Sequence, residues 1–319
     1  MTEDWENGGF GIYIHWPFCT AKCPYCDFNS HVRSNINQKQ WLKAYLNEIK
    51  RVSEKTSNRI LNSVFFGGGT PSLIEPSIIG DVLNEIQKHW KTKNNFEVTL
   101  EANPGSVDAK NFKAYKEAGV NRTSMGIQSL NTKDLKALGR THTVEEALAA
   151  FEIARQNFKA VSFDLIYARQ NQNISQWEKE LSLALSLEAS HMSLYQLTIE
   201  QGTAFGDRYN RGLLKGLPND DTSADMYDLT LSLCEDRGLV SYEVSNYAHE
   251  GYESIHNLIY WRYGDYIGIG PGAHGRLTID GKKYATETVL SPEAWLKKVE
   301  CDGSGAVSYT HLTLPTNSG

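Results

Sequence analysis

Residues 10–28 read Phe10-Gly11-Ile12-Tyr13-Ile14-His15-Trp16-Pro17-Phe18-Cys19-Thr20-Ala21-Lys22-Cys23-Pro24-Tyr25-Cys26-Asp27-Phe28. The first part, FGIYIH, is aromatic and β-branched and reads as a strand. The second part is a loop with three thiols inside eight residues, Cys19-x3-Cys23-x2-Cys26. Iron–sulfur clusters are held by such thiolates. A cubane has four irons, so three ligands leave one iron open to chelate a small molecule. Trp16, Phe18, Tyr25 and Phe28 supply an apolar shield around it. Zinc is the rival, with His15 or His31 completing a tetrahedron. The spacing favours iron–sulfur, because zinc ligands usually come as two short pairs from separate turns. Cys234 and Cys301 lie far away and read as structural.

Outward from the loop, strand and helix alternate. LNSVFF (61–66), FEVTLEA (96–102), NRTSMGI (121–127), AVSFDLI (160–166) and HMSLYQL (191–197) are predicted strands. Helices are predicted near 38–54, 76–90, 108–118, 132–138, 144–157 and 175–187. Apolar strands joined by helices make an α/β chain with a parallel sheet and crossover connections. Such a sheet closes fully or partly into a barrel, with ligands at the C-terminal strand ends. The chemically interesting residues fall there: Gly67–Pro71, Glu101-Ala102-Asn103-Pro104, Gln128 and Asp164. Any one alone reads as a turn residue; four clusters on one rim read as a site.

After residue 200 the pattern loosens into a helix near 220–238, a short strand at 240–244 and a run rich in glycine and aromatics from Ser254 to Gly275. The chain divides at 1–200, 201–301 and 302–319. The last stretch, ending SGAVSYTHLTLPTNSG, has no amphipathic period, and we set it apart from the fold as a non-native tail.

Of 319 residues, 40% are hydrophobic and 22% charged, with a net charge of −6. That is an ordinary globular composition, and its acidic balance argues against a nucleic-acid binder. No apolar run reaches the ~18–20 residues of a membrane span. The start, MTEDWENGGF, lacks the apolar core of a secretory signal. A cytoplasmic location is expected, with a peripheral seat at the membrane open to it.

The segment from Tyr13 to Phe28 resembles the radical S-adenosylmethionine (SAM) superfamily. Within it, the chain is similar to relatives of oxygen-independent coproporphyrinogen III oxidase, and most of all to the HemW heme-chaperone branch, over about residues 9–300. The resemblance implies a partial (β/α)6 barrel with a smaller α+β C-terminal extension, which the odd tail leads us to expect is cut short. It assigns Cys19, Cys23 and Cys26 to a [4Fe–4S] cluster. Tyr13, Gly68, Gly69, Thr70 and Glu101 match residues around SAM. Gln128, Arg140 and Asp164 match residues that hold a second SAM in the oxidase. Without the family, Arg140 reads as a solvated charge and Asp164 as a strand-end cap. No catalytic residue is assigned.

Two features separate the branches. The oxidase carries a further cysteine where Phe28 stands, and the chaperone branch carries His-Asn-x-x-Tyr-Trp, here His256-Asn257-Leu258-Ile259-Tyr260-Trp261. Both point to the chaperone branch. The resemblance therefore implies a protein that binds the cluster, SAM and heme and hands heme to respiratory-chain hemoproteins, with His256 as axial heme ligand. A lone histidine in an aromatic loop also reads as a hydrogen-bonded structural residue. The alternative function is radical decarboxylation of coproporphyrinogen III, through a 5′-deoxyadenosyl radical. No nucleic-acid partner and no integral membrane segment are expected, and a homodimer is one assembly open to the chain.

Overall fold

The computed structural model describes residues 5–104 and 109–312. In chain order the strands are β1 (Phe10–Trp16), β2 (Phe18–Cys19), β3 (His31–Val32), β4 (Ile60–Gly68), β5 (Lys91–Ala102), β6 (Arg122–Gln128) and β7 (Ala160–Tyr167). They continue with β8 (His191–Gln196), β9 (Val240–Ser241), β10 (Asn246–Ala248), β11 (Asp265–Ile269), β12 (His274–Ile279), β13 (Lys282–Thr288) and β14 (Ala306–His311). The helices are α1 (Trp5–Gly8), α2 (Gln38–Ser53), α3 (Pro76–His89), α4 (Ala109–Glu117), α5 (Thr132–Ala137) and α6 (Val144–Asn157). After them come α7 (Ile174–Leu185), α8 (Ala204–Asn210), α9 (Asp220–Glu235), α10 (Ile255–Trp261) and α11 (Pro292–Asp302).

Among the described residues, twelve strands share one sheet, ordered β14-β13-β12-β11-β1-β4-β5-β6-β7-β8-β10-β9. The six strands expected from the sequence are its centre, and each pairs in parallel with the next. β1 shows why these residues make a barrel wall. Phe10, Ile12, Ile14 and Trp16 are buried in the core shared with the outer helices, and Gly11, Tyr13 and His15 alternate onto the inner face. Tyr45 and Ile49 of α2, Ile79 and Ile86 of α3, Phe151 of α6 and Trp177 of α7 belong to the same core. Capping boxes, Thr143 with Glu146 and Asn173 with Gln176, fix where α6 and α7 begin.

Among the described residues after 200, every strand joins the same large sheet. β10 lies antiparallel beside β8, and β11 lies parallel beside β1, from Phe10↔Asp265 to Ile14↔Ile269. β12 to β14 continue antiparallel from there. Within the segment 302–319, expected to stand apart from the fold, residues 306–311 form β14 and pair with β13 from Tyr284↔His311 to Thr288↔Ala306. Backbone pairing needs no amphipathic period, which is why composition hid it. Residues 313–319 lie outside the described residues.

Candidate functional site

The cysteine loop leaves the C-terminal end of β1 and is tied down at both ends. β2 pairs with β3 across Phe18↔His31 and Cys19↔Val32, closing its base. Gly69 N donates to Trp16 O at 2.7 Å and Thr70 N to Phe18 O at 2.9 Å, joining the glycine turn after β4 to the same base. A Cβ on Gly69 would lie 2.6 Å from Phe18 O. Glycine is therefore required by protein backbone at this position, and not first by a ligand. On the far side, Asn29 Nδ2 donates to Pro271 O and Leu290 O, both at 2.9 Å. Phe205 N, at the start of α8, donates to Pro24 O at 2.8 Å.

Cys19, Cys23 and Cys26 line one cavity of about 820 Å³ at the C-terminal ends of the barrel strands. Gly68, Gly69, Thr70, Glu101, Gln128, Arg140 and Asp164 line the same cavity. The residues expected on one rim are thus brought together there. Tyr13 is the exception: it lies one layer lower, on a separate chamber inside the barrel, with its hydroxyl 3.0 Å from His15 Nδ1. Gln128 holds a left-handed backbone (φ 74°), rare for a residue with a Cβ. Arg140 is no solvated charge. It donates to Cys23 Sγ at 3.2 Å, Asn103 Oδ1 at 3.0 Å and Gly126 O at 2.8 Å.

The cavity's electrostatics ask for positive charge. Burial, reinforced by Asp164, pushes the Glu101 carboxyl up to about 8, although Gly68 N donates to Oε2 at 3.0 Å. Burial raises Asp164 to about 6. Burial also raises the Cys19 and Cys26 thiols, so metal charge is what would deprotonate them. The donor set fits a cluster with an open iron: three thiols on one wall of a cavity that has room for more than metal. A single-ion site fits less well. Among the described residues, no three histidine, cysteine or acidic side chains converge on one point. Both His15 nitrogens are also engaged, Nδ1 with Tyr13 and Nε2 with Asn29 O at 2.9 Å.

His256, expected as an axial heme ligand, lies outside the cysteine-lined cavity with both ring nitrogens already engaged. The ring is 1% exposed, at the barrel floor. Nδ1 lies 2.8 Å from Ser63 Oγ and Nε2 2.8 Å from the Tyr260 hydroxyl. Neither nitrogen is left to bind iron. Phe65 stacks on it at 5.1 Å. The motif is split, because Tyr260 faces the chamber and Trp261 is 57% exposed. A Cβ on Gly11 would lie 3.2 Å from His256 Nδ1, so glycine in β1 makes room for this plug. The glycine run after it, expected to let a macrocycle approach, packs behind the cysteine loop instead: a Cβ on Gly270 would lie 2.4 Å from His15 O.

Sequence reasoning missed Asn29 and Tyr195. Asn29 anchors the loop, and Tyr195 lines the cavity along with Asn103 of the expected rim. The one available signal was position, since Asn29 follows the third cysteine.

Comparison with known proteins places the chain. The family model for the radical SAM superfamily matches residues 13–184. "Heme chaperone HemW" of Haemophilus influenzae is 43% identical over 273 residues, covering 84% of this chain and 70% of that one. "Heme chaperone HemW" of Escherichia coli is 38% identical, with 90% and 75% covered. "Radical S-adenosyl methionine domain-containing protein 1, mitochondrial" of Danio rerio is 39% identical, with 95% and 70% covered. Among solved structures, coproporphyrinogen III oxidase (HemN) from Escherichia coli superposes with a TM-score of 0.81 at 20% identity, over 95% of this chain and 72% of that one. That likeness confirms the fold. With a family model over more than half of its length and such relatives, this chain belongs to the radical SAM superfamily, in its HemN/HemW-like family.

Proposed function

We propose that the protein is a cytoplasmic heme chaperone that carries a [4Fe–4S] cluster and SAM and passes heme to respiratory-chain hemoproteins. The observation that carries this reading is Phe28. It lines the cavity 55% exposed, and by the family resemblance it stands where the oxidase has a further cysteine. The relatives named as heme chaperones support it. Among the described residues no helix is long and apolar enough to cross a membrane.

Cys19, Cys23 and Cys26 would hold the cluster, with Arg140 donating to the Cys23 sulfur. When bound, cluster and SAM supply one-electron cleavage of a sulfonium C–S bond. Glu101 and Asp164 would balance the positive charge of SAM, and Glu101 also fixes the glycine turn through Gly68 N. Phe28, Val244 and Tyr195 offer exposed apolar surface on the cavity wall, of the kind a flat macrocycle covers. His256 takes no part in holding heme.

The test is one anaerobically reconstituted sample with two assays. Hemin titration should give a saturable Soret change. Coproporphyrinogen with a reductant should yield no vinyl product by mass spectrometry. Vinyl product without saturable heme binding would reverse the reading in favour of the oxidase function.

A further inference from the structure

Beneath the cavity lies a second chamber of about 220 Å³ inside the barrel. Glu101, Ser124, Asp164 and Tyr195 line both spaces. Two hydroxyls lead from the chamber to the cavity wall: Ser162 Oγ donates to Ser124 Oγ at 3.1 Å, and Ser124 Oγ to Asp164 Oδ1 at 3.1 Å. On the next strand, His191 is the register partner of Ser162 and lines the same chamber. His191 Nε2 lies 2.7 Å from the hydroxyl of Tyr242, which is only partly buried.

The direction of this chain is set at Tyr242. Its oxygen accepts from Ser254 N at 3.4 Å and from Asn257 Nδ2 at 3.2 Å. Its one hydrogen is therefore free for His191 Nε2. The neutral imidazole then carries its own hydrogen on Nδ1, and Nδ1 is buried without a protein partner. The donors can thus all point inward, Ser162 Oγ having Ser124 Oγ at 3.1 Å as a nearer acceptor than Thr123 O at 3.4 Å, and the chain is interrupted between His191 Nδ1 and Ser162 Oγ. Thr99 Oγ1 and Arg122 Nη2, also buried without a partner, belong to residues lining the same chamber. A polar space of this size suits bound water.

We propose that Tyr242, His191, Ser162 and Ser124 form a proton path from the surface to Asp164, completed by water between His191 Nδ1 and Ser162 Oγ. In one passage each donor hands its hydrogen one place inward. Tyr242 regains a proton from bulk water, and one proton arrives on the Asp164 carboxylate. His191 receives at Nε2 as it gives from Nδ1, so the imidazolium, which burial and then Arg122 disfavour, is never required. The charge of Arg122 is met by Glu97 at 3.4 Å. Asp164 faces the charged and titratable groups Glu101, Arg140 and Tyr195 on the cavity wall, and on the chamber side it pairs with Ser124 and with Ser193, its register partner on β8. The path thus reaches Asp164 from the side away from the mouth. It would let the wall carboxylates change protonation while the mouth is covered. That purpose rests on the SAM reading of the cavity; the path itself does not.

Two measurements test it. In the reconstituted protein with SAM bound, a pH jump followed by infrared spectroscopy reads the Asp164 carboxyl band, assigned by its loss in Asp164→Asn. Ser162→Ala and His191→Phe should each slow its relaxation at least tenfold with little change in its midpoint. Wild-type rates in both variants overturn the path. Failure of the cavity reading would appear separately, as absent iron or absent SAM binding in the wild-type sample. A high-resolution crystal structure of the same protein should then decide alone: water within hydrogen-bond reach of both His191 Nδ1 and Ser162 Oγ supports the path, and none there overturns it.

Discussion

The two ends of the barrel carry the two sequence motifs, and they treat polar side chains in opposite ways. At the C-terminal end, Cys19, Cys23, Cys26, Glu101 and Asp164 surround a large cavity, and burial disfavours the ionised forms of Cys19, Cys26, Glu101 and Asp164. At the floor, His256, Ser63 and Tyr260 satisfy one another, and nothing on the imidazole is left over. The histidine motif at 256–261 therefore acts as a plug, while the cysteine motif presents open thiols to a cavity. What separates them is spare bonding capacity, which residue identity does not reveal.

That contrast can be broken in several ways. The largest effect is expected from Cys23→Ser, which should lose essentially all iron after anaerobic reconstitution while circular dichroism stays native; retained iron would show the loop is no holder. His256→Ala should cost about 2–4 kcal/mol of stability, from the cavity and from the stranded Ser63 and Tyr260 hydroxyls. Denaturant unfolding measures this. Hemin should titrate into the surviving folded protein with the wild-type Soret band; a shifted band would return His256 to the heme site.

Gly69→Val should cost about 1–3 kcal/mol by overpacking. Because its Cβ meets Phe18 O at 2.6 Å, cluster and SAM should weaken together. Iron analysis beside SAM titration separates this from a purely ligand-facing glycine, which would lose SAM alone.

A further test is a pH slope. Glu101 sits near 8 in the fold against an ordinary 4.5, so its contribution to stability is fully present below 4.5 and is lost as pH rises through 8. His256, held near 3 by burial, acts oppositely: its contribution is present above 6.5 and lost as pH falls toward 3. SAM bound in the cavity would bring positive charge to Glu101 and favour the carboxylate. Its affinity should therefore rise between about pH 6 and 8, by up to roughly tenfold per unit. Glu101→Gln should flatten that slope in calorimetric titrations.

Much of this architecture was legible in the sequence, because local pattern encodes it. Apolar runs marked all six barrel strands, and helical patterns marked the helices between them. What stayed hidden is non-local. That β11 pairs with β1 depends on contacts some 250 residues apart, such as Ile14↔Ile269. β14 is mostly exposed and joins through backbone bonds to β13. At the site, the residue types identified the rim. They could not tell that Gly69 faces Phe18 O, that Arg140 reaches Cys23, or that Ser63 and Tyr260 consume both nitrogens of His256.

The central claim is that one cavity joins three cysteines to the rim around Glu101 and Asp164. Electron paramagnetic resonance of the reduced, reconstituted protein, with and without SAM, tests it most directly. The expected result is a [4Fe–4S] signal whose g-values shift on adding SAM, and whose shift is weakened in Glu101→Gln. A signal unchanged by saturating SAM, or the same signal from Cys23→Ser, would contradict the account.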